Sequence, residues 1–303
     1  NKEDFNISVA AIRKAITPRT KAIMSVDLGG FPCDYHDINA IVNEKEIKDQ
    51  FNPNSALQEK LGRILVISDA AHSFGAKMNG KRSGSLTDIS VFSFHAVKNL
   101  TTAEGGALCF DLPNEFNHEE IYTKFCTMIL HGQNKDALQK TQKGNWRYDV
   151  EEPGFKCNMP DIQAAIGLVE LERYQENLDR RKKIFELYDT AFSKEKWALI
   201  PLHTTNEKIT SFHLYQLRIN GITENQRDKI MQEIFNQDVS VNVHFLPLPT
   251  LTAYKNLGYS INDFPETWNK YQNEISLPIY FDLTDEQVQT VIKAVIYSVQ
   301  KHI

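Results

Sequence analysis

Within RILVISD, residues 63–69, the side chains Ile64, Leu65, Val66 and Ile67 follow one another without a polar break. A strand so continuously apolar has no face left for water. It therefore belongs inside a parallel sheet covered on both sides. KAIMSVDL (21–28), ISVFSF (89–94) and ALCF (107–110) read as further strands. Helical patterns separate them, from Asp37 to about Leu61 with a break at Asn52-Pro53-Asn54, and from Glu115 to Leu130. Strands alternating with helices are the pattern of an α/β layer architecture.

The second half reads differently. Gly132 to Glu152 is polar and is expected to be a surface loop. After Pro160 a long helix is expected, with Ile162, Ala165, Ile166 and Val169 as an apolar stripe. Phe185, Tyr188 and Phe192 carry a stripe further. Beyond Trp197, FHLYQLRI (212–219) and VSVNVHF (239–245) read as strands, and Glu224–Phe235 and the segment from Asp285 as helices. The expected division is a large domain over residues 1–185 and a smaller α+β domain over 186–303.

Composition narrows the functional classes. At 303 residues, 41% of them hydrophobic, the chain can bury a sizeable core. A net charge of −5 with scattered basic residues gives no nucleic-acid surface. Cys33, Cys109, Cys126 and Cys157 are far apart with no C-x-x-C pair, which favours reduced thiols in a cytoplasm over disulfides or a metal site. No apolar run reaches the roughly 18 residues needed to cross a bilayer, so no membrane partner is expected.

The chemistry gathers in one stretch. Asp69 ends the ILVIS strand, where α/β sheets place ligand-binding groups, and His72 follows in DAAH. Ser93 precedes Lys98 by five residues, and Glu104-Gly105-Gly106 closes the segment. Singly, these are a helix cap, a packed imidazole, a solvated charge and a turn. Together they place an acid, an imidazole and an amine at the strand ends.

Their order adds more. SDAAHSFGAKMNGKRSGSLTDISVFSFHAVKNLTTAEGGAL resembles the core motif of the DegT/DnrJ/EryC1/StrS family, and the S-F-H-x-[VI]-K-N-x-T-x-A-E-G-G form is nearest to the UDP-4-amino-4-deoxy-arabinose synthase type. ITPRTKAI (16–23), GFKCNMPDIQAAIGL (154–168), VHFLP (243–247) and SLPIYFDLTDEQV (276–288) extend the similarity over nearly the whole chain. The resemblance implies the aspartate-aminotransferase fold (fold type I) and a pyridoxal 5'-phosphate-dependent transaminase. An amino-acid donor, usually glutamate, and a nucleotide-linked keto sugar would be its substrates, in cell-surface polysaccharide or related amino-sugar synthesis. It implies Lys98 as the Schiff-base lysine and proton carrier, Asp69 on the pyridine nitrogen, His72 on the ring and its 3-oxygen, and Ser93 on the phosphate. Lys156 would reach the phosphate of the other subunit's cofactor, in a homodimer with shared sites. Desolvation suits the lysine role, because only a neutral amine attacks a carbonyl.

Some family features lack a match. A Gly-Ser/Thr turn before a helix, which cradles the phosphate, and an aromatic stacked on the ring have no counterpart, so the N-terminal third of the family pattern is expected to be absent. Asp27 and Pro249 stand where relatives often carry histidines, at places the resemblance associates with substrate. Two other readings remain open: a pyridoxamine-phosphate-dependent sugar dehydratase, whose relatives carry His in place of Lys98, and a non-catalytic binding subunit.

Overall fold

The computed structural model describes residues 1–135, 143–144 and 146–303. Among the described residues the strands are β1 (Ala22–Val26), β2 (Leu65–Asp69), β3 (Lys77–Met78), β4 (Lys81–Arg82), β5 (Ile89–Ser93), β6 (Gly106–Phe110), β7 (Ala198–Leu199), β8 (Lys208–Ile209), β9 (Tyr215–Ile219) and β10 (Glu274–Leu277). The main sheet has the order β1-β2-β5-β6. β1 and β2 are parallel with Val26 opposite Asp69; β2 and β5 are parallel with Asp69 opposite Val91. β6 returns antiparallel, Ser93 facing Gly106. A second sheet, β10-β9-β7, is antiparallel and belongs to the C-terminal part.

One face of the main sheet is sealed. Ile23, Val66 and the helix Tyr35–Asn43, through Tyr35, Ile38, Ile41 and Val42, form one buried cluster. The other face departs from expectation. Met24 is 66% exposed, and Val26, Val91 and Leu108 also face outward. The exposed residues alternate with the buried ones, as the two-residue pleat requires, and no described element covers them. The apolar run of RILVISD therefore gave the strand correctly, and the coverage of both faces incorrectly for a single chain.

The C-terminal core gathers Phe185, Tyr188, Phe192, Tyr215, Leu217, Ile219, Ile230, Ile275 and Val295. Helices Glu224–Phe235 and Asp285–His302 each begin with a capping box, Thr223 with Gln226 and Thr284 with Gln287. The helix Tyr174–Phe192 links both parts: Tyr174 packs with Phe92, Phe94 and Leu100, while Ile184 to Phe192 join the C-terminal core. Three expectations are corrected. VSVNVHF is no strand and keeps only an isolated bridge, Asn242 to Ser276. In FHLYQLRI the strand begins at Tyr215. The Ile162 stripe lies on a separate helix, Asp161–Glu172, that faces water, with Ile162 78% exposed. The expected loop at 132–152 lies partly outside the described residues.

A buried ion pair fixes the strands that lead to the loops. Both Asp88 oxygens receive the Arg63 guanidinium, at 2.6 and 2.7 Å, and Oδ2 also accepts Val66 N–H at 2.8 Å. Removing one partner strands the other in a nearly dry place. Asp88→Ala should therefore destabilise the fold by about 3–5 kcal/mol, read as a lower urea midpoint in equilibrium unfolding. An unchanged midpoint would mean that the pair does not secure β2 against β5.

Candidate active site

The parallel register delivers Asp69 to the carboxyl end of β2, and its Oδ1 accepts the Ala71 N–H at 3.1 Å. The chain then turns through His72. Its Nδ1 accepts the Gly29 N–H at 3.3 Å, so the ring proton sits on Nε2, which is left as a donor. The Ser211 hydroxyl donates to the His72 carbonyl. Gly30 lies where this approach is closest. Its φ is +93°, and a Cβ there would come within 2.8 Å of the His72 carbonyl oxygen.

Lys98 sits in the loop between β5 and β6. Thr102 N–H donates to Phe94 O at 2.9 Å, and Phe94 N–H to Gly105 O at 2.8 Å, closing the loop at its neck. Gly106 is needed at the exit, because a Cβ would meet Phe92 O at 2.5 Å. The residue after the lysine is held on three sides. Asn99 donates to Ser211 O at 2.7 Å, its carbonyl accepts from Asn177 at 2.9 Å, and its Oδ1 lies 2.8 Å from His213 Nδ1. Since the amide nitrogen is already donating, Oδ1 accepts and His213 carries its proton on Nδ1.

Three imidazoles surround the lysine. His72 and His213 have ring centroids 4.4 Å apart, and Phe245 stacks on His72 at 5.9 Å. Burial, then the Lys98 charge and His244, push His72 down to about 3. Burial drives His213 well below the ordinary histidine value, with His72, Arg181, Lys98 and His244 adding to it. His244 is lowered too, by burial and then by Lys98. All three are uncharged at neutral pH. Burial lowers the Lys98 amine as well, against the opposing pull of the Asp69 carboxylate.

Asp69, His72 and Lys98 lie near enough for the Lys98 charge to act on His72 and the Asp69 carboxylate on Lys98. Ser93 closes β5 and its Oγ accepts the His95 N–H at 3.3 Å. Lys156 stands apart: it is exposed, its ammonium on Asn158 Oδ1, and no described contact ties it to Lys98. Asn99, His213, His244 and Phe245 were not singled out from the sequence. His213 and His244 lay inside the motifs FHLYQLRI and VHFLP, yet only folding shows that they converge on Lys98.

Comparison with known proteins follows the same line. The profile of the DegT/DnrJ/EryC1/StrS aminotransferase family matches residues 1–49 and 53–296. That match starts at the first residue of this chain, which spans 71–75% of the length of the relatives below. The sugar aminotransferase Spr1654 from Streptococcus pneumoniae, in its PMP form, superposes with a TM-score of 0.94 at 40% identity, covering 100% of this chain and 75% of that one. Its PLP form superposes at 0.93. Helicobacter pylori PseC, an aminotransferase involved in the biosynthesis of pseudoaminic acid, gives 0.82 at 26% identity, over 98% of this chain and 71% of that one. The spore coat polysaccharide biosynthesis protein SpsC of Bacillus subtilis is 34% identical over 301 residues, 97% of this chain and 71% of its own. The architecture is that of fold type I, and the chain belongs to the DegT/DnrJ/EryC1/StrS aminotransferase family as a transaminase that uses pyridoxal phosphate.

Proposed function

We propose that this transaminase moves an amino group from an amino acid, glutamate in the first instance, to a nucleotide-linked keto sugar, in the synthesis of cell-surface polysaccharide or a related amino sugar. The observation that carries the reading is a half-buried Lys98 amine, lowered by desolvation, beside the Asp69 carboxylate at the strand ends. SpsC and PseC, named for polysaccharide and amino-sugar biosynthesis, support the pathway class.

The residues present fit the cofactor. His244 Nδ1 is buried without a hydrogen-bond partner among the described residues, His72 offers Nε2–H, and Asp69 and Lys98 supply opposite charges. Lys98 would hold the cofactor aldehyde, Asp69 the pyridine nitrogen, His72 the 3-oxygen and Ser93 the phosphate. Bound there, pyridoxal phosphate supplies an aldehyde to take up the amine and a protonated ring to draw electrons from the donor's α-carbon. Asp69 keeps that ring nitrogen protonated. Lys98 Nζ would move the α-proton, and desolvation lowers its hold on a proton, which favours that exchange. One site then serves donor and acceptor in turn, which gives ping-pong kinetics.

The same reading assigns residues 1–185 to cofactor binding and 186–303 to a smaller domain, with the border inside the helix Tyr174–Phe192. It makes the active form a homodimer in the cytoplasm. Ile162, Leu168, Val169 and Leu171 on one exposed helix, with Phe155 beside it, support association, because a lone chain leaves them in water. No described helix is long and apolar enough to cross a membrane.

Lys98→Ala should abolish amine transfer to every member of a panel of nucleotide keto sugars, followed by mass detection. Borohydride reduction of the wild type should fix the cofactor to Lys98; label on another residue would overturn the assignment. For the shared site, an inactive Lys98→Ala chain mixed with an inactive Lys156→Ala chain should regain activity, since one site of the mixed dimer is intact. No recovery at any mixing ratio, or a monomer by sedimentation at assay concentration, would remove Lys156 from the site.

A further inference from the structure

Asp27, which the family resemblance associates with substrate, is shut inside the protein. It is 0% exposed, so no substrate reaches it. Its carboxylate is instead a hub. Oδ1 accepts the Tyr35 hydroxyl at 2.6 Å and the Cys33 N–H at 3.0 Å. Oδ2 accepts the Ser73 hydroxyl at 2.7 Å and the Ser68 hydroxyl at 3.2 Å. The Tyr35 and Ser68 oxygens lie 2.7 Å apart, and those of Ser73 and Ser83 likewise. Four groups converge on a buried carboxyl that makes no ion pair among the described residues, and burial raises its hold on a proton against the hydrogen bonds it receives.

The identity of the donors matters more than their number. Ser68 directly precedes Asp69, and Ser73 directly follows His72. One carboxylate therefore grips both ends of the turn that presents the acid and the imidazole. Asp27 N–H also donates to the Asp69 carbonyl at 3.1 Å. Two residues on, Gly29 N–H fixes the His72 ring. The bonds to Ser68, Ser73, the Asp69 carbonyl and the His72 ring tie the segment at the end of β1 to the end of β2 and the turn that follows it. A slip of the turn would move Asp69 and His72 together.

We propose that Asp27 is a positioning residue for transamination, its carboxylate setting how the Asp69–His72 turn meets the pyridine ring. The inference rests on the roles of Asp69 and His72 given under the proposed function. A hub that only stabilised the fold would act on melting and leave the bound cofactor untouched. A positioning hub changes the cofactor's surroundings in a protein that is still folded.

The experiment compares wild type, Asp27→Asn, Ser73→Ala and Asp69→Asn. Three readings are taken: the thermal melt of the protein, the visible absorbance band of bound pyridoxal phosphate as a function of pH, and the rate at which glutamate bleaches that band. Asp27→Asn keeps the shape and can still accept at one oxygen, and Ser73→Ala removes a single hydroxyl. Both should melt cooperatively, shift the pH midpoint of the visible band, and bleach about 10- to 100-fold more slowly, the penalty expected when a catalytic group moves by a fraction of an ångström. Folded variants with the wild-type band, midpoint and rate, alongside a disabled Asp69→Asn, would overturn the positioning role. Should Asp27→Asn fail to fold, Ser73→Ala decides between these outcomes by itself. A wild-type result for Asp69→Asn is a different failure: it removes the role of Asp69, and the role of Asp27 with it.

Discussion

The parallel pairing of β2 between β1 and β5 is the constraint on which the site depends. Parallel strands present their carboxyl ends at the same edge. Val26, Asp69 and Val91 pair in one row, so the turns after three strands open on one place. From β1 comes the Gly29-Gly30 turn that receives His72, from β2 the acid and the imidazole, and from β5 the lysine loop. The antiparallel return of β6 then forces that loop into a closed neck, which carries Lys98 clear of the sheet without letting it wander. Asp88, gripping Arg63 and Val66 N–H at the opposite end of β2, holds the same strands from behind.

The charge pattern around the amine follows from burial. Three imidazoles near Lys98 would repel an ammonium strongly if they were protonated. Desolvation keeps them neutral. They therefore act as hydrogen-bonding surface, with directions set by Gly29 for His72 and by Asn99 for His213. Among the described residues Asp69 is the acid that acts on Lys98, and its pull is weaker than the desolvation it opposes. Desolvation alone lowers the proton affinity of Lys98, with no cationic neighbour among the causes.

Much of this was legible in the sequence, for physical reasons that differ by element. RILVISD announced a central strand because four successive apolar residues have no amphipathic alternative, and the SFHAVKN motif pointed to Lys98 through its resemblance to the family's core motif. Glu224–Phe235 and the segment from Asp285 were readable as helices, while their capping boxes emerged only in the structure. What stayed hidden was convergence. Asn99 and His213 are 114 positions apart, and nothing local says that they bond. VSVNVHF alternates like a strand, yet its backbone is held by Glu274 and Ser276 at only a few points. Apolarity shows which face needs cover and does not say whether its own chain supplies it; Met24 and Ile162 show that limit.

The segment that brings His244 and Phe245 to His72 depends on a carboxyl outside the site. Glu274 Oε2 accepts the His244 N–H at 3.0 Å, and Ser276 donates to Oε1. Burial raises Glu274 to about 8, against the hydrogen bonds from Ser276 and His244 and the Arg227 charge, all of which favour its ionised form. Arg227 is already engaged with Asp228 and the Tyr271 carbonyl. A carboxyl raised in the folded state contributes stability that is complete below its ordinary range near 4.5 and is lost as pH rises through about 8. Above that point a buried charge sits under the very backbone that carries His244. The lysine responds in the opposite sense, because rising pH only makes a free amine more available. The two groups thus answer a rise in pH in opposite senses, the glutamate against the backbone that carries His244 and the amine towards its free form.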